Sequence, residues 1–198
     1  MVSFMPKKDN RNTRMKIVNA AWELFYKYGY ENTTVEDIVF ESHTSRGSFY
    51  HYFKGKDDLL NTLSSVFDSK YEELSGSLIE TDGAVSKLLF LNRELFKYIE
   101  DSVSMELTAR LYSSQLVSAG DRSLLDRSRT YYKLLRAIAI EGKENGEFSD
   151  DITADEIVRA YAMCERALIS DWCLSNGSYS LSGEAAFMLP RLLKGFTK

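Results

Sequence analysis

The sequence predicts an all-α protein of about nine helices, with a small N-terminal three-helix domain and a larger C-terminal helical domain. Apolar residues recur at helical spacing along the chain, and glycines stand where the helical stretches end. The chain has 198 residues, of which 44% are hydrophobic and 27% charged, so it is long enough to bury a substantial core. No internal repeat or low-complexity tract interrupts the pattern.

Caps and stops delimit the helices in chain order. The first is predicted over about Thr13–Tyr28 and ends at Gly29, a residue that suits a helix C-cap. The fourth is predicted to run from Asp57 to Leu74. Thr153 and Glu156 form a predicted capping box. Five more helices are predicted over about Gly83–Glu100, Met105–Ala119, Ser123–Asn145, Ala154–Asn176 and Gly183–Phe196.

The second and third helices are short and joined by a tight turn. Thr33 or Thr34 can cap the second helix, and Glu36 is three residues after Thr33, as a capping box requires. This helix is predicted to end near Ser42. Ser45 and its neighbour Thr44 are suitable N-caps for the third helix. The stretch from Thr33 to Leu60 therefore predicts a helix-turn-helix.

The two faces of the third helix differ in chemistry. At about 100° per residue, Phe49 and Phe53 share one face and are predicted to pack inward. Polar or small residues spread over the opposite face. Residues 42–56 contain three cations and no Asp or Glu, so this segment can approach a polyanion without internal repulsion.

These residues resemble the DNA-binding domain of TetR-type transcriptional regulators. The resemblance covers about Arg14 to Leu60 and rests on Gly29-Tyr30, on Thr33-Thr34 and on the run SRGSFYHYFKGK from Ser45 to Lys56. The turn departs from the family pattern, because His43 stands where the family usually has Gly and Thr44 where Val is common. A histidine in a left-handed turn is tolerable but strained relative to glycine.

The resemblance implies roles for particular residues. Residues 1–58 would form the DNA-binding domain, and residues 59–198 a domain for effector binding and dimerisation. Gly47 would allow close approach to DNA, and three residues would lie near base edges, with a phosphate contact as the alternative for the first of them: Arg46, Ser48 and His51. Phosphates would be anchored by Thr34, Thr44, Ser45, Tyr50 and Lys56.

The second domain is expected to bind a largely apolar or aromatic small molecule, as the family typically does. Large aromatic residues at helical spacing are candidates for its pocket, and for each the alternative is an ordinary core residue: Phe67, Tyr71, Phe90, Tyr112, Tyr132 and Trp172. Residues 61–198 carry a net charge of −5, which favours neutral or cationic over anionic ligands.

Enzymatic chemistry is disfavoured. The only histidines, His43 and His51, lie in the predicted DNA-binding segment, so the larger domain has none for general base catalysis or metal ligation. No phosphate-binding glycine motif, catalytic residue, metal site or cofactor is predicted. No window of eighteen apolar residues and no signal peptide is present, so we expect a soluble, cytoplasmic protein without membrane partners.

The sequence thus predicts a TetR-like homodimeric transcriptional regulator, a repressor that binds an inverted-repeat operator in double-stranded DNA and is released by a small molecule. The last two long helices are expected to form the dimer interface, so a charge at Leu192 or Leu193 should dissociate it. The alternative is a helical ligand-binding or interaction protein that no longer reads DNA. An enzyme on a helical scaffold is a third possibility.

Overall fold

The computed structural model describes residues 10–80, 83–117 and 122–198. Within these ranges the regular elements are helices, apart from an isolated antiparallel bridge between Phe148 and Thr197. The prediction of an all-α fold is therefore confirmed. The chain divides into two compact units, Met1–Thr62 and Leu63–Lys198.

Unit 1 contains helices α1 (Asn10–Tyr28), α2 (Val35–Glu41), α3 (Arg46–Tyr52) and α4 (Lys56–Leu60). α1 ends as predicted, because Gly29 has a positive φ of 84° and its N–H donates to the carbonyl of Phe25 at 3.0 Å. α1 packs against α2 and α3. Their apolar faces form the core of the unit, which includes Ile17, Ala21, Phe25, Ile38 and Phe49.

The capping box of α2 is formed by Thr34 and Asp37. The Thr34 hydroxyl accepts the Asp37 N–H at 3.1 Å, and the Thr34 N–H donates to the Asp37 carboxylate at 2.9 Å. The alternative pairing of Thr33 with Glu36 is wrong, because the Thr33 side chain is buried and donates to the carbonyl of Gly29. Glu36 remains free to interact elsewhere on the surface.

The predicted fourth helix is divided into two. α4 ends at Leu60, and α5 (Leu63–Ser75) begins the second unit. The Thr62 hydroxyl donates to the carbonyl of Leu59 at 2.6 Å and accepts from the Trp22 indole at 2.9 Å. A threonine that bonds to a nearby carbonyl competes with the helical hydrogen-bond pattern, which accounts for the break.

Unit 2 contains α5, α6 (Ala84–Ser102), α7 (Met105–Val117), α8 (Thr130–Glu144), α9 (Ala154–Leu174) and α10 (Leu181–Lys194), with 3₁₀ turns at Gly76–Glu80 and Ser123–Leu125. The capping box of α9 between Thr153 and Glu156 is confirmed. α8 begins at Thr130 and not at Ser123 as predicted, because the Asp126 side chain accepts the Ser128 N–H at 2.8 Å and forms a turn.

The core of unit 2 lies between α6 and the helices around it. α6 packs against α5, α8 and α10, and α9 packs against α7, α8 and α10. α6 and α8 approach so closely at Gly142 that a Cβ there would lie 2.6 Å from the Ala84 side chain and 2.5 Å from that of Phe148. Apolar side chains fill the space between the helices, among them Leu88, Leu91, Phe96, Leu135 and Leu189.

The turn between α2 and α3 holds His43 in the left-handed region, with φ of 52°. Its N–H donates to the carbonyl of Phe40 at 3.1 Å, and the N–H of Thr44 donates to that of Val39 at 3.2 Å. These bonds end α2 and form the turn that leads into α3. The turn therefore has the geometry that glycine adopts without a steric penalty.

We predict that His43→Gly raises the free energy of unfolding by about 1 kcal/mol, because glycine avoids the steric cost of a Cβ at positive φ. Asn176→Gly is the matched control, since Asn176 has φ of 53° and asparagine tolerates this conformation well. Urea unfolding of both variants measures the effect. A lower free energy of unfolding for His43→Gly than for the parent chain would show that the turn is not strained.

Candidate nucleic-acid interface and ligand cavity

α3 presents two faces of opposite character. Phe49 is fully buried against Phe53, with ring centroids 5.8 Å apart, and the Arg14 guanidinium lies 5.4 Å from the Phe53 ring centroid. The other face is open to solvent and carries Arg46, Gly47, Tyr50 and His51. The structure thus brings together four of the predicted DNA-binding residues on one exposed surface, and this surface has no carboxylate of its own.

The N-terminus of α3 is capped by Ser45. Its hydroxyl accepts the Ser48 N–H at 3.0 Å and lies 2.8 Å from the Ser48 hydroxyl. The Thr44 hydroxyl similarly lies 2.8 Å from that of Ser42. Three of the predicted contact residues, Thr44, Ser45 and Ser48, therefore stand at the start of α3, where backbone N–H groups without a partner in the helix favour a negatively charged partner.

Thr34 lies at the corresponding end of α2. Its hydroxyl also donates to the Asp37 carboxylate at 2.6 Å, and this hydrogen bond lowers the pKa of Asp37. The carboxylate thus already occupies the position that a phosphate would take at this helix end. A phosphate contact from Thr34 remains a prediction.

Arg46 is paired with Glu36 across the turn. The guanidinium lies 2.9 Å from the Glu36 carboxylate, and both side chains are exposed, by 68% and 62%. The same guanidinium lies 5.7 Å from the ring centroid of Tyr50. An exposed pair of this kind contributes little to stability, so Arg46 can exchange Glu36 for DNA at small cost.

Gly47 lies in open space within its own unit. A Cβ at this position would be 3.9 Å from its nearest neighbour, the Ser45 hydroxyl, and the backbone is not in the left-handed region. Neither packing nor backbone conformation therefore requires glycine here. A requirement for glycine at residue 47 would have to come from a partner outside the chain.

Lys56 makes contacts within unit 1, and its predicted phosphate contact remains a prediction. Its ammonium group donates to the carbonyls of Tyr30 at 2.7 Å and Thr33 at 3.0 Å, and it lies 4.2 Å from the Tyr30 ring centroid. The Tyr30 hydroxyl donates to Asp57 in turn. Lys56 thus fixes the loop between α1 and α2 to the start of α4, and two of its three donors are not free for phosphate.

Three of the predicted ligand residues line one narrow cavity in unit 2. Phe67 and Tyr71 of α5 and Tyr112 of α7 face a space of about 40 Å³, together with apolar residues of α6 and α9. The Tyr71 side chain is buried, and its hydroxyl has no hydrogen-bond partner among the described residues. This hydroxyl is therefore a donor that a molecule in the cavity could use.

A buried carboxylate forms part of the cavity wall. Glu165 accepts from the Asn92 amide at 2.7 Å and the Tyr131 hydroxyl at 2.6 Å. Burial raises the pKa of Glu165, while these hydrogen bonds act in the opposite direction. The pKa values of Tyr71 and Tyr131 are raised, first by burial and next by the Glu165 charge, so both phenols remain protonated donors.

Arg129 connects this cavity to α5. Its guanidinium donates to both carboxylate oxygens of Asp68, at 2.9 and 3.1 Å, and to the carbonyl of Ser64 at 2.9 Å. Asp68 also accepts the N–H of Tyr131 at 3.2 Å. The Arg129 side chain is only 10% exposed, and it lines the cavity. The start of α8 is thus joined to α5 by a bidentate ion pair.

The other predicted ligand residues lie elsewhere in unit 2. Tyr132 lines a separate groove between α8 and α9. Phe90 is half-buried, with the Arg93 guanidinium 5.7 Å from its ring centroid, and Trp172 is buried and donates to the carbonyl of Tyr179 at 3.1 Å. Phe90 and Trp172 are not in the wall of the narrow cavity. Their geometry favours the alternative of a packing role.

Two residues of the site, Asn92 and Arg129, are not among the residues that the sequence pattern singles out. Asn92 is a polar residue on the apolar stripe of α6, which was a usable signal. Glu165 is a buried acid in a mostly apolar helix, a pattern that an ion pair or a ligand contact would both explain. The structure gives it an amide and a phenol as hydrogen-bond partners. Within the described residues, no helix is long and apolar enough to cross a membrane.

Comparison with known proteins agrees with this architecture. The family model described as bacterial regulatory proteins, tetR family, matches residues 17–63. The fatty acid metabolism regulator protein of Bacillus subtilis is 22% identical over 189 residues, covering 95% of this chain and 97% of that protein. The transcriptional regulator QacR of Staphylococcus aureus is 27% identical over 158 residues, covering 77% and 82%.

A solved structure extends the likeness to the whole fold. FadR of Thermus thermophilus, a TetR-family transcriptional repressor in complex with lauroyl-CoA, superposes with a TM-score of 0.77 at 24% identity, covering 91% of this chain and 92% of that one. The family match falls on α1 to α4, where the exposed face of α3 lies. The chain belongs to the TetR family of DNA-binding transcriptional regulators.

Proposed function

We propose that the protein is a homodimeric repressor that binds an inverted-repeat operator through unit 1 and is released by a small molecule bound in unit 2. It acts in the cytoplasm and by binding alone, without catalysis. The observation that carries the proposal is the exposed face of α3, with Arg46, Gly47, Tyr50 and His51 and no carboxylate. Such a face suits the phosphates and base edges of a DNA major groove.

Exposed apolar side chains on the last two helices support a dimer. Met163 and Leu174 on α9 are 53% and 83% exposed, and Phe187 and Met188 on α10 are also open to solvent. Apolar surface of this kind on neighbouring helices favours burial against a second copy. Leu193 cannot take part as predicted, because it is fully buried in its own unit.

The narrow cavity supports an effector site. At about 40 Å³ it has room for about one water molecule, whereas ligand pockets typically occupy about 300 to 1,000 Å³. A ligand therefore has to displace the walls. The Tyr71 hydroxyl is the polar anchor that such a ligand would use. FadR of Thermus thermophilus, with its bound lauroyl-CoA, is a precedent for an effector in this fold.

Arg129 offers a route from the cavity to DNA binding. α5 starts at the first residue of unit 2, directly after the DNA-binding unit, and carries Phe67 and Tyr71 in the cavity wall. A ligand that enlarges the cavity shifts α5 or breaks the bonds from Arg129 to Asp68 and Ser64. Because only a difference in affinity between two states transmits a signal, the effector must bind the DNA-free state more tightly.

The function is tested by selecting duplexes from a random library with the full chain. We expect an inverted repeat whose half-sites are one helical turn apart, about 34 to 36 Å, or a multiple of it. A control selection uses the chain with Arg46→Glu, which reverses the charge on the exposed face. A final pool with no enriched sequence would contradict a specific repressor and favour the alternative of a protein that does not read DNA.

Gly47→Ala separates the fold from DNA binding. Alanine should stabilise α3 by about 0.5 to 1 kcal/mol, because glycine is a poor helix former and a Cβ here meets no clash. Operator affinity should nevertheless fall about tenfold, since the added methyl group prevents close approach to DNA. Urea unfolding and fluorescence anisotropy with the selected operator measure the two effects.

The matched control is Gly76→Ala in unit 2, where a Cβ also meets nothing within 4 Å. It should leave operator affinity unchanged. If Gly47→Ala binds the operator as tightly as the parent chain, close approach of DNA at residue 47 is wrong.

Met188→Glu should dissociate the dimer without unfolding the chain, because Met188 is exposed in the single chain and a buried interface charge is costly. Sedimentation velocity at micromolar concentration measures the mass, and circular dichroism measures the fold. Operator affinity should fall with the dimer, since one half-site makes too few contacts.

Lys97→Glu on the exposed face of α6 is the control and should stay dimeric. Leu193→Glu should instead unfold unit 2, because Leu193 is a core residue. If the parent chain sediments as a monomer, the proposed dimer is wrong. If the Met188→Glu variant sediments as a dimer, the interface does not include Met188.

A further inference from the structure

We propose that a basic groove between α8 and α9 binds the phosphorylated headgroup of the effector, whose apolar chain enters the narrow cavity. The groove has a volume of about 540 Å³. Its walls carry five cations and one carboxylate, namely Arg127, Lys133, Arg136, Arg159, Arg166 and Asp155. The inference rests on the proposed function, and it names the chemical class of the effector.

The positive charge of the groove is only partly neutralised within the chain. Arg136 pairs with Asp155 at 2.9 Å. Across the described residues, Arg127, Lys133 and Arg159 make no salt bridge. Like charges gathered in one concave site repel each other, and they also create a strong local attraction for an anion. The groove therefore suits a ligand with several negative charges.

The local charge opposes the expectation drawn from the whole domain. The net charge of −5 over residues 61–198 predicts a neutral or cationic ligand. Exposed charges more than about 10 Å apart are largely screened at physiological salt, so the cations that line the groove decide the outcome there. We therefore expect the part of the ligand that lies in the groove to be anionic, and not neutral or cationic.

Arg166 joins the groove to the narrow cavity. Its side chain lines both spaces, and its guanidinium is held by a hydrogen bond to the Tyr132 hydroxyl at 3.0 Å. Beyond Arg166 the wall becomes apolar and aromatic, with Phe67, Phe96 and Ile169. A ligand that lies across Arg166 would meet cations at one end and apolar side chains at the other. That arrangement matches an apolar chain on a phosphorylated headgroup.

The cations of the groove lie beside the proposed dimer interface and not on it. At about 100° per residue, the groove residues of α9, Asp155, Arg159 and Arg166, lie about a quarter turn from the exposed apolar Leu174. Met163 lies within about 20° of Leu174 and also lines the groove, so it marks the edge at which the groove meets the apolar face. A partner subunit on the apolar face would leave the cations accessible.

The test compares two double variants by calorimetry with dodecanoyl-CoA. Lys133→Gln with Arg159→Gln removes two cations of the groove, whereas Lys97→Gln with Arg93→Gln removes the same two charges from the exposed face of α6. We expect the groove variant to bind about tenfold more weakly than the control variant, as the loss of two close charge contacts implies. Dodecanoate, which has one carboxylate and no phosphate, should differ less in affinity between the two variants than dodecanoyl-CoA does.

Further ligands distinguish the source of the headgroup. Dodecanoyl lysophosphatidate carries one phosphate on the same chain, and coenzyme A carries the phosphates without the chain. Tighter binding of dodecanoyl-CoA than of either supports a nucleotide headgroup, and tighter binding of the lysophosphatidate supports a lipid headgroup in the same groove.

Two outcomes would contradict the proposal that the groove binds a phosphorylated headgroup. One is equal affinity of the groove and control variants for both phosphorylated ligands, and the other is no binding of either ligand to the parent chain. Operator affinity is measured on the same samples. If the parent chain binds the operator but neither phosphorylated ligand, the proposed headgroup site is wrong and the proposed repressor function is unaffected. If the parent chain does not bind the operator, the proposed repressor function is contradicted.

Discussion

The ion pair between Arg129 and Asp68 holds the start of α8 against α5, and the cavity of unit 2 depends on it. Arg129 reaches from the start of α8 to both oxygens of Asp68 and to the carbonyl of Ser64, with distances of 2.9 to 3.1 Å. With side chains only 10% and 17% exposed, the pair is little screened by water. Loss of one partner would leave a largely buried charge, so the position of α5 is tied to that of α8.

Beside this pair lies a buried polar cluster that forms part of the cavity wall. Glu165 is compensated by Asn92 and Tyr131, whereas the Tyr71 hydroxyl has no partner within the described residues. A partly satisfied polar site is less stable than a complete one. A ligand that offers an acceptor to the Tyr71 hydroxyl would supply the missing hydrogen bond, and it controls DNA binding only if it binds two states of the protein with different affinity.

The sequence predicts unit 1 better than unit 2, for a physical reason. Short-range signals define α3: the cap at Ser45, the inward Phe49 and the absence of acids all lie within one or two turns of helix. The break at Thr62 and the role of Lys56 depend on partners 23 to 40 residues away, and sequence spacing does not reveal them.

The cavity of unit 2 depends on still longer separations. Asn92 and Glu165 are 73 residues apart, and Arg129 and Asp68 are 61 apart. Aromatic residues could be selected as candidates, but Phe67 and Tyr71 could not be told from Phe90 and Trp172 without the packing of the helices. The basic groove was hidden for a related reason, because net charge averages over residues that folding separates.

Hydrogen exchange of the parent chain with and without its operator duplex tests whether α5 and Arg129 link DNA binding to the cavity. Coupling is reciprocal, so DNA that responds to the cavity must also act on it. We expect operator binding to alter amide protection in α5 and at Tyr131, whose N–H donates to Asp68, as well as in α1 to α4. If protection changes only in α1 to α4, then α5 and Arg129 do not link DNA binding to the cavity.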